Sequence, residues 1–210
     1  MKKQFVCLNI AVVGTGSVVE GYILRYAGVG HEIFAAWKED CGISVNMGLL
    51  ALPNVHFCSI EQAAMVADII VIACAPKDVR EIAYWMGDVR GKIIIDATAN
   101  MRTEDDKQLK TVCAIKAITA SGHIVKVFNT RGYEQLLMPI FKDEHVRLVL
   151  VGDKKTKEVA KLFTIELGVN RFFDMGGEEA IPLFNEMTRG WWQLKQATLP
   201  IKYRQSKLTP

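Results

Sequence analysis

The chain alternates short, largely apolar runs rich in β-branched residues with longer amphipathic stretches. The short runs before residue 142 predict strands at 8–13, 32–36, 55–58, 68–73, 92–96 and 124–128. The stretches between them predict helices at 17–27, 59–66 and 78–86, a weaker one at 41–50, and one that begins near Thr103. This alternation is typical of βαβ units and indicates an α/β fold: a Rossmann-like, doubly wound, mostly parallel sheet.

The last third of the chain continues the same pattern. Residues 146–151 and 172–174 predict two more strands, and residues 178–196 predict a helix. Asp153 can cap another helix that runs to Leu167, where Gly168 ends it. No linker rich in Ser, Gly or Pro separates the two parts. We therefore expect residues 1–142 to form a dinucleotide-binding region and residues 143–210 to form a short β-α-β-α extension of the same domain.

Composition narrows the class of protein. The 210 residues are 50% hydrophobic and 23% charged, which suits a globular core, and the net charge of +3 is too small to indicate a nucleic-acid partner. The apolar runs fall short of the ~18 residues that a membrane span needs, and the N-terminus has no signal cleavage site. We expect a cytoplasmic protein that binds neither membrane nor nucleic acid, with a homodimer as one option for its assembly.

Cysteine spacing argues against a metal site. The five cysteines, Cys7, Cys41, Cys58, Cys74 and Cys113, are odd in number, and none forms a C-x-x-C pair. Buried free thiols in a reducing compartment fit this pattern better than a zinc site or a disulfide framework. No metal is expected.

A Gly-x-Gly turn follows the first strand directly. It reads Gly14, Thr15, Gly16, Ser17 and Val18. The first glycine permits the tight turn, and the second lets the backbone approach a pyrophosphate that also faces the N–H groups of the following helix. The third position of the usual fingerprint is Val19 rather than Gly or Ala. The position of the turn, between the first strand and the first helix, predicts a dinucleotide site.

The tip of the second strand bears on which dinucleotide binds. NAD sites usually carry an acid there for the ribose hydroxyls, whereas this chain has Trp37 and Lys38. Lys38 can neutralise a 2′-phosphate, and Trp37 can stack on adenine or on Lys38. We therefore expect NADP(H) to be preferred over NAD(H). The alternative is a solvated lysine beside a partly buried tryptophan.

Four segments resemble a known family: residues 10–17, 30–33, 92–98 and 125–130, of which the last, VKVFNT, is the most specific. The chain resembles the coenzyme F-420-dependent NADP oxidoreductases, and the related oxidoreductase domain of the STEAP-type metalloreductases. Residues 174–177, followed by a helix with Pro182, also resemble the family's C-terminal turn. Two segments depart from the family pattern: Trp37 and Lys38 replace a Ser/Thr-Arg pair, and the loop after Asp96 reads Ala-Thr-Ala-Asn-Met.

The resemblance implies hydride transfer between the nicotinamide and a flavin-like or deazaflavin ring. Such a step needs no conventional catalytic acid or base, so Thr98 and Asn129 are expected to position the rings at the carboxyl ends of their strands. The alternative for Asn129 is a turn-forming residue. The expected cofactor contacts are Gly14, Thr15, Gly16, Ser17, Val18, Trp37, Lys38, Ala73, Ala75, Pro76, Thr98 and Asn129.

The four histidines are weak candidates for catalysis, and two functions other than hydride transfer to a flavin-like ring stay open. His31, His56, His123 and His145 fall at predicted strand starts and are expected at the surface or in turns; only His123 is kept as a catalytic candidate, because it precedes the strand of Asn129. A small imino-acid or hydroxyacid reductase shares this N-terminal pattern, but the segment after Phe141 is short for its helical domain. A nucleotide-sensing module without turnover is the non-enzymatic alternative.

Overall fold

The structure, a computed structural model, describes residues 7–38, 47–98, 110–129, 148–166 and 168–198. Its strands are β1 (Asn9–Gly14), β2 (Glu32–Ala36), β3 (Val55–Phe57), β4 (Ile69–Ala73), β5 (Ile93–Asp96), β6 (Ile124–Asn129), β7 (Leu148–Gly152) and β8 (Phe172–Asp174). Its helices are α1 (Ser17–Val29), α2 (Met47–Leu50), α3 (Ile60–Val66), α4 (Val79–Met86), α5 (Thr111–Thr119), α6 (Lys154–Glu166) and α7 (Ile181–Thr198).

The described strands form one sheet in the order β3-β2-β1-β4-β5-β6-β7-β8. Strands β1 to β6 are parallel to one another, β7 is antiparallel to β6, and β8 is parallel to β7. The chain leaves β1 toward β2 and β3 and then returns to β4 on the other side of β1. This reversal creates a crevice at the carboxyl ends of β1 and β4, where open α/β sheets bind ligands. The predicted fold class is confirmed, and β7 and β8 continue the same sheet.

Alternating residues along the strands fill a core on each face of the sheet. On one face, Ile10 and Val12 of β1 pack with buried residues of α1 and α6. On the other face, Ala11 and Val13 pack with buried residues of α3, α4 and α5. Strands that are buried on both faces carry continuous apolar runs, which is why β1 and β4 were recognisable in the sequence.

Some strands and helices begin at other residues than predicted, because a side-chain hydrogen bond or a proline changes where the element starts. Asp68, predicted as the first residue of a strand, instead accepts a hydrogen bond from the Asn9 backbone N–H at 2.9 Å. Glu178–Ala180 forms a 3-10 turn before α7 begins at Ile181, because Pro182 suits the first turn of a helix, where no N–H is needed. The predicted start of a helix near Thr103 lies outside the described residues, which resume before α5.

One sequence-based expectation about burial was wrong. Of the two places expected for His31, the surface or a turn, the structure has the turn between α1 and β2, where His31 is 1% exposed. Its Nδ1 accepts a hydrogen bond from the Leu8 N–H at 3.2 Å and its Nε2 lies 2.8 Å from Glu166 Oε2, because α6 covers the start of β2. The four described thiols are free, but Cys7 and Cys113 are exposed rather than buried. Among the described helices, none combines the length and apolar character that crossing a bilayer requires.

Candidate functional site

The turn after β1 is fixed by its first glycine. Gly14 is buried and has a φ of +139°, and a Cβ atom built on it would lie 2.1 Å from the backbone oxygen of Ala73 at the end of β4. Only glycine allows this approach of the two strand ends. The backbone contact between Gly14 and Ala73 sets how closely β1 and β4 approach at the crevice, so the tight turn predicted at Gly14 depends on its packing against β4.

The second glycine of the turn faces open space. Gly16 is exposed, has a φ of +90°, and a Cβ atom on it would have no atom within 4 Å. It is also the N-cap of α1, with no side-chain hydrogen bond to the cap, and the first backbone bond of the helix runs from the Glu20 N–H to the Gly16 carbonyl at 3.2 Å. The N–H groups of Ser17 and Val18 therefore precede that first bond, as a site for an anionic group requires.

The loop after β4 borders the same crevice. Ala73 and Pro76 are buried, Ala75 is exposed, and Pro76 begins a 3-10 turn that leads into α4. The intervening Cys74 is partly buried, and burial, reinforced by the carboxylates of Asp96 and Asp78, raises the pKa of its thiol to about 12. Cys74 is therefore protonated at neutral pH and is not an activated nucleophile.

Trp37 and Lys38 diverge at the tip of β2. The ring of Trp37 meets that of Phe57 of β3 edge-on, with centroids 5.5 Å apart. Lys38 instead reaches α4, where its Nζ lies 2.6 Å from Glu81 Oε2. The predicted cation is present at the tip of β2, but it is ion-paired with Glu81, an acid 43 positions later in the sequence that α4 brings next to it.

A buried charged network lies under the carboxyl ends of β5 and β6. Asp96 Oδ2 accepts hydrogen bonds from Lys126 Nζ at 2.8 Å and from Thr111 Oγ1 at 2.7 Å. Asp96 Oδ1 accepts from the Thr98 N–H at 2.9 Å and from Thr98 Oγ1 at 2.5 Å. Lys126 Nζ also donates to the Thr98 carbonyl at 3.2 Å and to Thr98 Oγ1 at 3.0 Å. The four residues are each at most 3% exposed.

This network changes the role open to Thr98. Its N–H, its carbonyl and its hydroxyl are all bonded to Asp96 or Lys126, and its side chain is buried. The Thr98 hydroxyl is thus held within the buried network and is not free to contact a ligand. Asn129, the other predicted positioning residue, is the last residue of β6 and pairs with Leu148. Because β5 and β6 are parallel, Thr98 and Asn129 lie at the same edge of the sheet.

Sequence reasoning missed three residues at this edge. Asp96 and Lys126 interrupt apolar strand runs, and that interruption was a usable signal, since unpaired charges are rarely buried. Glu81 gave no such signal, because an acid in the first turn of a helix is ordinary. Its relation to Lys38 exists only in the folded chain, where the two residues are 43 positions apart.

His123, the histidine kept as a catalytic candidate, lies at the edge of the sheet opposite the crevice. His123 is exposed and precedes β6, whereas Asn129 ends that strand, so His123 lies at the opposite edge of the sheet. A strand of six residues separates the two by roughly 16–20 Å. His123 is therefore not part of the crevice, and His145 lies outside the described residues. Within the described part of the chain, no three His, Cys, Asp or Glu side chains cluster as metal ligands would.

The N-terminal part of the chain, which contains these elements, is similar to a known protein family. Residues 9–100, from β1 past the end of β5, match the family model described as NADP oxidoreductase, coenzyme F420-dependent. This match agrees with the resemblance that the sequence motifs indicated. Comparison with curated protein sequences gives no significant match.

Solved structures share the fold across most of the chain. One assigned as an F420-dependent NADP reductase from Arthrobacter sp. FB24 is 19% identical, with a TM-score of 0.73 and coverage of 90% of this chain and 94% of that one. A pyrroline-5-carboxylate reductase from Coxiella burnetii is 16% identical, with a TM-score of 0.63 and coverage of 97% of this chain and 73% of that one. A reductive aminase from Aspergillus terreus, solved with NADPH, is 11% identical, with a TM-score of 0.60 and coverage of 92% of this chain and 65% of that one. Identities this low show the fold alone.

Proposed function

We propose, from the match of residues 9–100 to the coenzyme F420-dependent NADP oxidoreductases, that this protein transfers a hydride between NADP(H) and a flavin-like or deazaflavin ring. The observation that carries the proposal is the paired geometry of the two glycines after β1. Gly14 locks the turn against β4, while Gly16 leaves an open surface beside the first N–H groups of α1. This open cradle, next to a positive helix end, suits a pyrophosphate.

The crevice extends from this cradle in both directions along the carboxyl edge. Toward β2 it meets Trp37 and Lys38, which would hold the adenosine half of the dinucleotide. Toward β5 and β6 it meets Thr98 and Asn129, which would border the nicotinamide. When bound, the nicotinamide ring supplies the hydride chemistry, and the protein's task is to hold the ring in place and exclude water.

The residues near the nicotinamide end favour positioning over acid–base chemistry. Asp96 and Lys126 are the charged side chains described at the ends of β5 and β6, and they are buried against each other. Neither presents a group that could exchange a proton with a substrate in the crevice. Their network instead holds Thr98 just after the end of β5. Precise ring alignment accounts for a large part of the rate of such transfers.

The proposal is tested by NADPH oxidation with a panel of acceptors. Purified protein is mixed with NADPH and one acceptor at a time: an oxidised deazaflavin, FMN, ferric citrate or pyrroline-5-carboxylate. Oxidation of NADPH is followed by the loss of absorbance at the nicotinamide band. We expect oxidation with the deazaflavin or FMN and its loss in Gly16→Val, whose side chain would project into the space proposed for the pyrophosphate. Oxidation with pyrroline-5-carboxylate alone would favour the imino-acid reductase alternative, and NADPH binding without any oxidation would favour a sensor module.

A further inference from the structure

The ion pair between Lys38 and Glu81 bridges two elements that flank β1. Lys38 follows β2, and Glu81 lies in the first turn of α4, which follows β4. Since the sheet order is β2-β1-β4, the pair reaches from one side of the Gly14 turn to the other. The Nζ and Oε2 atoms are 2.6 Å apart, and the side chains are 23% and 42% exposed. Both side chains are therefore partly accessible to solvent.

The position of the pair matters for the ribose of a dinucleotide. When a pyrophosphate lies on the helix after the first strand, the adenosine ribose lies at the tip of the second strand, where Lys38 is found. A group that binds the Lys38 ammonium at this place also comes close to the Glu81 carboxylate. The two charges act in opposite directions on a 2′-phosphate: the ammonium attracts it and the carboxylate repels it.

The same carboxylate suits an unphosphorylated ribose. In most NAD sites an acid accepts a hydrogen bond from the ribose 2′-hydroxyl, and that acid comes from the tip of the second strand. Here Trp37 and Lys38 occupy the tip, and α4 brings Glu81 to the same place. The arrangement combines the cation of an NADP site with the acid of an NAD site.

We infer that Glu81 is a specificity-determining residue that moderates the preference for NADP(H) by neutralising Lys38 and by receiving the 2′-hydroxyl of NAD(H). The inference rests on the proposed dinucleotide site and adds a second determinant to it. Its consequence is that the protein accepts both dinucleotides, with NADP(H) favoured by a modest factor. Removing the carboxylate should sharpen the preference, whereas removing the ammonium should reverse it.

The test uses the full chain and two small probes, adenosine 2′,5′-bisphosphate and AMP, titrated by calorimetry. They differ only in the 2′-phosphate and need no nicotinamide. We expect Glu81→Gln to tighten binding of the bisphosphate by about tenfold, since a like charge is removed near the phosphate, and not to tighten binding of AMP. Lys38→Gln leaves Glu81 unopposed, and we expect AMP then to bind more tightly than the bisphosphate. The matched control is Asp88→Asn, which removes one negative charge beyond the far end of α4 and should change neither affinity by more than about twofold.

The outcomes separate the inference from the proposed function. Equal changes for both probes in Glu81→Gln, or a stronger preference for AMP, would overturn the role of Glu81 while leaving the dinucleotide site intact. A wild-type protein that binds neither probe, NADPH nor NADH would overturn the site itself. Because Glu81 is partly exposed on a helix, Glu81→Gln should fold, and Glu81→Ala with the same titrations provides a second variant.

Discussion

Lys126 Nζ lies 2.8 Å from Asp96 Oδ2, and the two side chains are 1% and 0% exposed. Removing two charges from water costs several kcal/mol per ion, so a buried pair is stable only when further hydrogen bonds satisfy both groups. Thr98 and Thr111 supply those bonds. The pair thereby joins β5, β6, the start of α5 and the loop after β5 in one network.

Breaking this pair from one side should be costly. We expect Lys126→Met to lower the free energy of unfolding by about 3–5 kcal/mol, because the Asp96 carboxylate is left buried without its cation. The double variant Asp96→Leu/Lys126→Met should cost less than the sum of the single variants, measured by urea unfolding. Lys161→Met is the matched control, since its partners Glu158 and Asp174 are 64% and 38% exposed and such pairs contribute about 1 kcal/mol or less. Equal losses for Lys126→Met and Lys161→Met would contradict a structural role for the network.

The two glycines after β1 should respond differently to the same substitution. Gly14→Ala places a methyl group against the backbone of Ala73 and should cost about 3 kcal/mol or more in unfolding free energy. Gly16→Ala meets open space, so we expect only about 1–2 kcal/mol from its positive φ. Its methyl group should nevertheless weaken NADPH binding. Urea unfolding and calorimetry on both variants give the comparison, and undiminished NADPH affinity in folded Gly16→Ala would place the pyrophosphate elsewhere.

Asn129 tests the predicted nicotinamide end of the crevice. If it positions the ring, Asn129→Ala should slow single-turnover NADPH oxidation while the melting temperature stays nearly unchanged, because alignment rather than stability is lost. Asn54→Ala is the matched control, since the Asn54 Nδ2 donates to the carbonyls of Ala27 and His31 at 2.9 and 2.7 Å. That variant should lower the melting temperature and leave the transfer rate unchanged. The opposite pattern in Asn129→Ala would make Asn129 a turn residue.

Asp153 gives a prediction about acid stability. Its Oδ2 accepts hydrogen bonds from the Thr156 N–H at 2.9 Å and from Thr156 Oγ1 at 2.8 Å, and these bonds lower the pKa of its carboxyl group. With a folded pKa below the unfolded one, the ionised cap contributes stability above about pH 4. That contribution is lost as the pH falls through the folded pKa.

The measurement compares Asp153→Ala with the wild type by urea unfolding across pH. We expect a loss of about 1 kcal/mol near neutral pH, which shrinks below about pH 4. Asp153→Asn is the control, because asparagine caps a helix without ionising, and its stability relative to Asp153→Ala should depend less on pH. A pH-independent difference between wild type and Asp153→Ala would rule out the contribution of the charge.

Local sequence relations predicted the elements and part of the site. The Asp153 cap forms as expected, and Ser59 and Gln62 form a capping box at the start of α3. In both, the partners lie three residues apart on the same turn, so the chain sequence alone specifies them. The Gly14 to Gly16 turn was recognisable because a strand, two glycines and a helix are contiguous. The strand and helix periods depend only on near neighbours, so these elements were found to within a few residues.

Only the tertiary structure decided the charge partners of the crevice and the burial of its surroundings. Lys38 meets Glu81 across 43 residues, Lys126 meets Asp96 across 30, and His31 meets Glu166 across 135. Sequence by itself determined which residues lie in strands, which in helices, and where the backbone turns sharply, because those features depend on residues close in the chain. The folded chain alone determined which charges face each other, because the crossover from β3 to β4, the pairing of β5 with β6 and the packing of α6 bring together residues that no local pattern relates.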